Sequence, residues 1–186
     1  MARWKILESI ELLKQGFFRL RRDRCELPDG RVMPAYYVFE FTDWVNVIPI
    51  TTDGQVLAIT QHRHAAGLEF LEIPGGSMDA RTPESPEHAA ARELVEETGY
   101  TSSRWISLGF HYPNPALQNN RMHTFLALDC ALMAAIALDP YEDLTLTPFP
   151  VAELETRLAR GDFAHSIIAA SVARALPVLR REGLIE

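Results

Sequence analysis

The chain has 186 residues and a formal net charge of −7 at pH 7, enough length for one domain of ordinary size with a buried core. That balance argues against a surface that tracks the phosphates of long nucleic acid, which depends on Lys and Arg, and it suits a protein that holds divalent cations. Cys25 and Cys130 stand far apart with no CxxC or Cys/His spacing, so neither a structural zinc site nor a disulfide framework is indicated, and a reducing, cytoplasmic setting is expected.

At the N-terminus, Lys5, Glu8, Glu11 and Lys14 interrupt the apolar residues, so the segment lacks the continuous apolar core of a signal peptide. Residues 4–40 then read as short extended segments broken by turns, clearest at LPDGR (27–31), and an antiparallel meander is expected. WVNVIPIT (44–51), the Asp53-Gly54 turn and QVLAITQH (55–62) form a hairpin pattern rich in β-branched residues. Residues 69–73 make a short strand ending at Pro74-Gly75-Gly76.

From Pro86 the spacing becomes helical through Ala90, Ala91, Leu94 and Val95, with Gly99 as a stop. Strands are expected at 106–111, 123–128 and 144–149, and helices at 151–160 and 166–181. The apolar stripe Ile167, Ile168, Val172, Leu176 and Leu179 in the final helix reads as packing. The other apolar stretch, 131–138, is too short to span a bilayer, so a soluble protein with no membrane partner is expected. Strands around one central helix, with helices at the end, give an α+β or sandwich fold.

On the central helix, Glu93, Glu96 and Glu97 stand at i, i+3 and i+4 and share one face. Such like charges repel by about 0.2–0.5 kcal/mol per pair, and anions in a last turn are disfavoured by the helix dipole. A bound cation removes the penalty; a solvated acidic face tolerates it.

The stretch LEIPGGSMDARTPESPEHAAARELVEETGY decides between the two, because it resembles the box of the Nudix hydrolase family. That box runs from a glycine through a loop glutamate to Arg-Glu-x-x-Glu-Glu-x-Gly and an apolar residue. The resemblance implies an α/β/α sandwich with a mixed sheet, and Mg2+ held by Glu93, Glu96, Glu97 and the carbonyl of Gly75. Hard oxygen ligands suit Mg2+, with Mn2+ as the alternative. Gly76 belongs to the glycine pair of the box and is assigned with the substrate-binding residues. Arg92 is expected to brace the loop through Glu84 or a neighbouring carboxylate. Between Gly76 and Glu84 lie seven residues, two more than in the family, and residues 80–83 are expected to bulge outward.

Three further likenesses point to the ADP-ribose and nucleoside diphosphate sugar pyrophosphatase branch. HYPNPALQNNRMHTFLA resembles that branch's segment after the box; Asn114, Ala116 and Asn120 replace its usual serine, glycine and acid. ITQHRHAAGLEFLEIPGG resembles the stretch before the box, and by that likeness Arg63 contacts substrate phosphate while Glu72 orders the site. Asn114 and Asn120 are further substrate-binding candidates. DPYEDLTL matches the branch's late acidic loop and makes Glu142 the first candidate base and Asp143 the second, with Glu97 as the runner-up. A solvated turn explains the same pair of acids.

The six histidines form no helical metal pair and read as structural. The branch also implies a homodimer, with residues 1–42 as an N-terminal meander serving dimerisation and a nucleoside pocket, where Tyr36, Tyr37 or Trp44 stacks on a base. Residues 43–186 form the hydrolase domain. The expected function is Mg-dependent hydrolysis of ADP-ribose or a nucleoside diphosphate sugar to a nucleoside monophosphate and a sugar phosphate. Cleavage of nucleoside triphosphates or capped RNA is the alternative reaction, and a nucleotide-sensing module without turnover is the alternative of another class.

Overall fold

A computed structural model describes residues 3–79 and 84–186. By its internal contacts the chain divides into two units, one comprising Met1–Asp43 with His111–Arg121, the other Trp44–Phe110 with Met122–Glu186.

The first unit is built on the expected meander. Strands β1 (Lys5–Gln15), β2 (Phe18–Glu26) and β3 (Val32–Phe41) lie in that order, antiparallel throughout. Gly16 and Gly30, both at positive φ, turn the chain between them. Phe18, Phe39 and Phe41 stack beside one another, and Phe17 joins them while remaining largely exposed. The 111–121 segment is tied on by Phe39 N–H donating to the Leu117 carbonyl (2.7 Å) and Tyr36 Oη donating to the Ala116 carbonyl (2.8 Å).

The second unit centres on two parallel strands, β4 (Trp44–Thr51) and β11 (Met122–Leu132), paired Val47 to Phe125 and Ile48 to Leu126. Strands covered on both faces need apolar side chains on both, and here alternation assigns each residue to a layer. Val45, Val47, Phe125 and Ala127 pack with Ala89, Ala90 and Leu94 of helix α1 (Pro86–Thr98). Ile48, Ile50, Leu126 and Leu128 pack with Ile168, Val172, Ala175 and Leu179 of helix α3 (Ser166–Arg181). The result is the α/β/α sandwich with a mixed sheet. Within the α3 layer, Asn46 Nδ2 donates to Ser171 Oγ (2.8 Å), and Thr124 Oγ1 lies 3.0 Å from the same hydroxyl, which links three buried polar side chains.

Two expected strands are each divided. Residues 55–62 become β5 (Gln55–Val56) and β6 (Ile59–Arg63), and 144–149 become β12 (Leu144–Leu146) and β13 (Phe149–Pro150). The reason is tertiary: β5 and β13 stay with β4, whereas β6 pairs on one side with β12 and on the other with β7 (Leu68–Glu72) in a separate three-stranded sheet. Both chains change sheet at the same place, where Thr147 N–H donates to the Ala58 carbonyl (2.7 Å).

The remaining strands are β8 (Gly75–Ser77), antiparallel to β4; β9 (Tyr100–Thr101), antiparallel to β11; and β10 (Arg104–His111), beside β11. The helix expected at 151–160 opens as a 3-10 turn, Val151–Glu153, before α2 (Leu154–Arg160). Among the described residues, no helix is long and apolar enough to cross a membrane.

Candidate active site

Helix α1 is defined at both ends by its sequence. Ser85 is the N-cap, its hydroxyl accepting from His88 N–H at 3.2 Å, and Pro86 occupies the first turn. Gly99 ends the helix at φ 77°, its N–H donating to the Val95 carbonyl. Between these ends the buried face carries Ala89, Ala90 and Leu94, and also Glu93 and Glu97. Ala91 and Val95 are only half-buried. The inward stripe therefore runs through two of the three acids, and the third, Glu96, lies at its margin.

Space for those carboxylates comes from the two glycines of β8. Pairing of Gly75 with Asn46 and of Gly76 with Val45 brings β8 close to β4. A Cβ on Gly75 would lie 2.8 Å from Asn46 Cα, and one on Gly76 2.6 Å from the carboxyl carbon of Glu93. Only glycine lets the strand and helix approach this closely. The Gly75 N–H donates to Glu97 Oε2 at 2.8 Å, which locks Glu97 onto the strand.

Arg92 braces the neighbouring carboxylates. Its Nη1 lies 2.9 Å from Glu93 Oε1 and 2.8 Å from Glu96 Oε2, and its Nη2 lies 3.5 Å from Glu84 Oε1. Glu84 Oε1 in turn accepts from Asp79 N–H at 3.0 Å. Arg92 thus contacts the carboxylates of Glu84, Glu93 and Glu96, while the expected bulge of residues 80–83 falls outside the described residues. Burial pushes Glu93 up to about 7 against the attraction of Arg92, and it pushes Glu97 up to about 8. The charge of Glu142 raises both further.

Glu142 reaches that field through the end of the same helix. The last carbonyls of a helix lack partners within it, and here Glu96 O accepts from Ala137 N–H (2.9 Å) while Gly99 O accepts from Met133 (2.9 Å) and Ala134 (3.0 Å). The following loop closes on itself, with Asp139 N–H donating to Glu142 Oε2 (2.9 Å) and Glu142 N–H to the Asp139 carbonyl (3.0 Å). Glu142 is half-buried and its neighbour Asp143 is exposed. No sequence pattern announced this tie between loop and helix.

A second cluster lies on the β6–β7 hairpin. Arg63 Nε donates to Glu72 Oε1 at 3.0 Å, Arg63 Nη2 pairs with Glu72 Oε2, and His165 Nδ1 lies 2.8 Å from Glu72 Oε1. Burial would raise the Glu72 carboxyl, but the hydrogen bonds from His165 and Arg63 outweigh it and hold the group below its ordinary value. Arg63 feels the charge of Glu97, and Glu97 that of Arg63, which links the two clusters electrostatically.

Gly75, Gly76, Glu93, Glu96, Glu97, Arg92, Arg63, Glu72 and Glu142 all belong to the second unit. Asn114 and Asn120 belong to the first: Asn114 is exposed, its carbonyl accepting from Leu117 and Gln118 N–H, and Asn120 is buried. Among the described residues, no three His, Cys, Asp or Glu side chains already form a cage around a common point. The donor set of α1 and β8 nevertheless fits a hard divalent cation: carboxylates and a backbone carbonyl, two of the acids buried and pushed toward neutrality.

The model of the NUDIX domain matches residues 41–169, and that of the nucleoside diphosphate sugar hydrolase N-terminal domain matches residues 4–39. The chain is 31% identical over 166 residues to an ADP-ribose pyrophosphatase of Mycobacterium tuberculosis, covering 88% of this chain and 79% of that protein. It is 30% identical over 134 residues to an ADP-ribose pyrophosphatase of Bacillus subtilis, covering 69% of this chain and 71% of that protein. A crystal structure of an ADP compounds hydrolase superposes with a TM-score of 0.85 at 21% identity, covering 99% of this chain and 98% of the other, a likeness of fold.

Proposed function

This chain belongs to the Nudix family of pyrophosphohydrolases, and from that premise we propose that it hydrolyses the diphosphate of ADP-ribose or a nucleoside diphosphate sugar, releasing a nucleoside monophosphate and a sugar phosphate with Mg2+ as cofactor. The observation that carries the reading is the convergence of two buried, neutral-shifted glutamates of α1, the Gly75–Gly76 strand and the Glu142 loop on one end of one helix.

Glu93, Glu96, Glu97 and the Gly75 carbonyl would hold the metal. Bound there, a divalent cation neutralises diphosphate oxygens and acidifies the attacking water. Arg92 keeps the ligand carboxylates in place through its contacts with Glu93, Glu96 and Glu84. Glu142 takes the proton of the attacking water, a role favoured by its half-buried place facing Glu93 and Glu97; Asp143 is exposed by comparison. Arg63, held by Glu72, binds a substrate phosphate oxygen, and Gly76 lets that group approach the strand.

We assign residues 43–186 to the hydrolase domain and residues 1–42 to dimerisation and the nucleoside pocket. An open cavity of about 350 Å³ in the first unit, lined by Arg21, Tyr36, Val38 and Tyr112, offers an aromatic and a guanidinium to a base; Asn114 and Asn120 flank its Pro115–Asn119 rim in sequence. Ile6, Leu12 and Leu13 expose apolar area on strand β1, at the edge of its sheet, which suits a homodimer. The buried free thiols Cys25 and Cys130 suit a reducing cytoplasm.

The test is phosphate release, through a coupled phosphatase, from ADP-ribose, GDP-mannose, UDP-glucose, diadenosine polyphosphates and dGTP, each with and without Mg2+. Metal-dependent release from ADP-ribose or a nucleotide sugar is expected. Release from dGTP alone would move the chain to the triphosphate reading, and silence from folded protein would make it a binding module. A monomeric mass by light scattering would remove the dimer.

A further inference from the structure

Glu72 is 1% exposed, and a carboxylate buried that deeply is kept charged by its partners. Arg63 supplies two of the hydrogen bonds, and the third comes from a distant element, the residue that precedes α3. We infer that His165 is a positioning residue for Arg63: it holds the Glu72 carboxylate at the orientation from which the guanidinium meets substrate phosphate. The inference rests on the reading of Arg63 as the phosphate-binding arm.

Register sets the problem that His165 answers. In the β6–β7 hairpin Arg63 pairs with Leu68, Gln61 with Phe70 and Ile59 with Glu72, so Arg63, Phe70 and Glu72 share one face. To meet Glu72, the Arg63 side chain must run back along that face over several residues. An extended arginine whose side chain is 44% exposed keeps considerable rotamer freedom. An ion pair with a carboxylate that itself turns would leave the guanidinium poorly aimed.

His165 removes that freedom. Its Nδ1 and Arg63 Nε converge on the same oxygen, Glu72 Oε1. An ionised carboxylate only accepts hydrogen bonds, so the Nδ1 that meets it carries a hydrogen. The ring itself is fixed by Phe70, edge-on at a centroid distance of 6.1 Å and an interplanar angle of 63°. His165 also stands at the N-cap of α3 without capping it, a position where Ser, Thr, Asp or Asn would satisfy a helix amide. The helix forgoes that stabilisation, and the side chain points at Glu72 instead.

The test separates the donor from the ring and from the fold. His165→Phe keeps a ring against Phe70 and deletes the donor; His165→Asn retains a donor near the place of Nδ1. With Mg2+ and ADP-ribose, H165F is expected to raise KM about tenfold, the loss of one hydrogen bond to a charged group, with kcat near wild type, while H165N stays close to wild type in both. Arg63→Gln should raise KM at least as much, and H165F should add little in the R63Q background. Wild-type KM in H165F, equal damage in H165F and H165N, or full additivity with R63Q would overturn the positioning role. If R63Q leaves KM unchanged, the phosphate-arm reading fails instead. Independently of turnover, long-range 15N–1H correlation spectra should show a proton on Nδ1 of His165 in the wild type; an Nδ1 without one would sink the inference.

Discussion

Glu72 and Glu97 are buried almost equally, at 1% and 2% exposed, yet the first is held below its ordinary pKa and the second is pushed up to about 8. The difference lies in their partners. Glu72 receives hydrogen bonds from a guanidinium and an imidazole. Glu97 receives a neutral backbone N–H and faces the charges of Glu93 and Glu142, with Arg63 the attractive charge acting on it. The protein completes the environment of Glu72 by itself; it leaves that of Glu97 short of positive charge. A divalent cation at the α1 site would supply the positive charge that Arg63 supplies on the hairpin.

Opposite responses to the same substitution would sharpen that contrast most. Glu97→Gln should cut Mg-dependent turnover by roughly three orders of magnitude, the several kcal/mol that a catalytic metal contributes. In cation-free buffer it should leave Tm unchanged or raise it, because a buried carboxyl whose ionisation is opposed costs stability that the neutral amide does not. Glu72→Gln should destabilise by about 1–3 kcal/mol, since it weakens bonds to charged partners. Mg2+ at about a hundred times its Kd should stabilise the wild type by about 2.7 kcal/mol and E97Q hardly at all. Thermal unfolding of the three proteins with and without Mg2+ decides; equal destabilisation by E97Q and E72Q in cation-free buffer would erase the distinction.

A smaller effect should appear in the pH dependence of stability. Because the folded Glu72 carboxyl is held below its unfolded value, its contribution is fully present above the ordinary carboxylate range and is lost as pH falls through the folded pKa. Urea unfolding followed from about pH 7 down to about pH 3 should therefore show the wild type losing its advantage over E72Q toward acid. A gap that widens toward acid would contradict the pairing.

The two clusters were unequally legible in the sequence. Glu93, Glu96, Glu97, Pro86 and Gly99 lie within one helix and its stop, where spacing alone puts the acids together. What spacing did not reveal was that Glu93 and Glu97 share the buried stripe with Ala90 and Leu94, because that depends on how far Gly75 and Gly76 let β8 approach. His165 lies 93 residues from Glu72, and no local period links them, so a histidine beside a helix start reads as structural. The division of β5 from β6 and of β12 from β13 is hidden for the same reason: each run is continuously strand-like, and only the competing sheet partners divide it. The loop carrying Glu142 was legible by resemblance, whereas its anchorage on the Glu96 and Gly99 carbonyls was not.

The smallest expected effect concerns the far end of α1. Ser85→Ala deletes the acceptor for His88 N–H and should cost about 1 kcal/mol of stability, as loss of an N-cap does. It should leave kcat and the Mg2+ response unchanged, because Ser85 lies at the end of the helix opposite the carbonyls that hold the Glu142 loop. Denaturation and steady-state rates of the one variant test both halves. A fall in kcat out of proportion to the lost stability would mean that fraying at the N-terminus reaches Glu93 and Glu97, and that α1 responds as one unit; unchanged kcat would place the functional constraint in the last turn, where the strand, the loop and the acids meet.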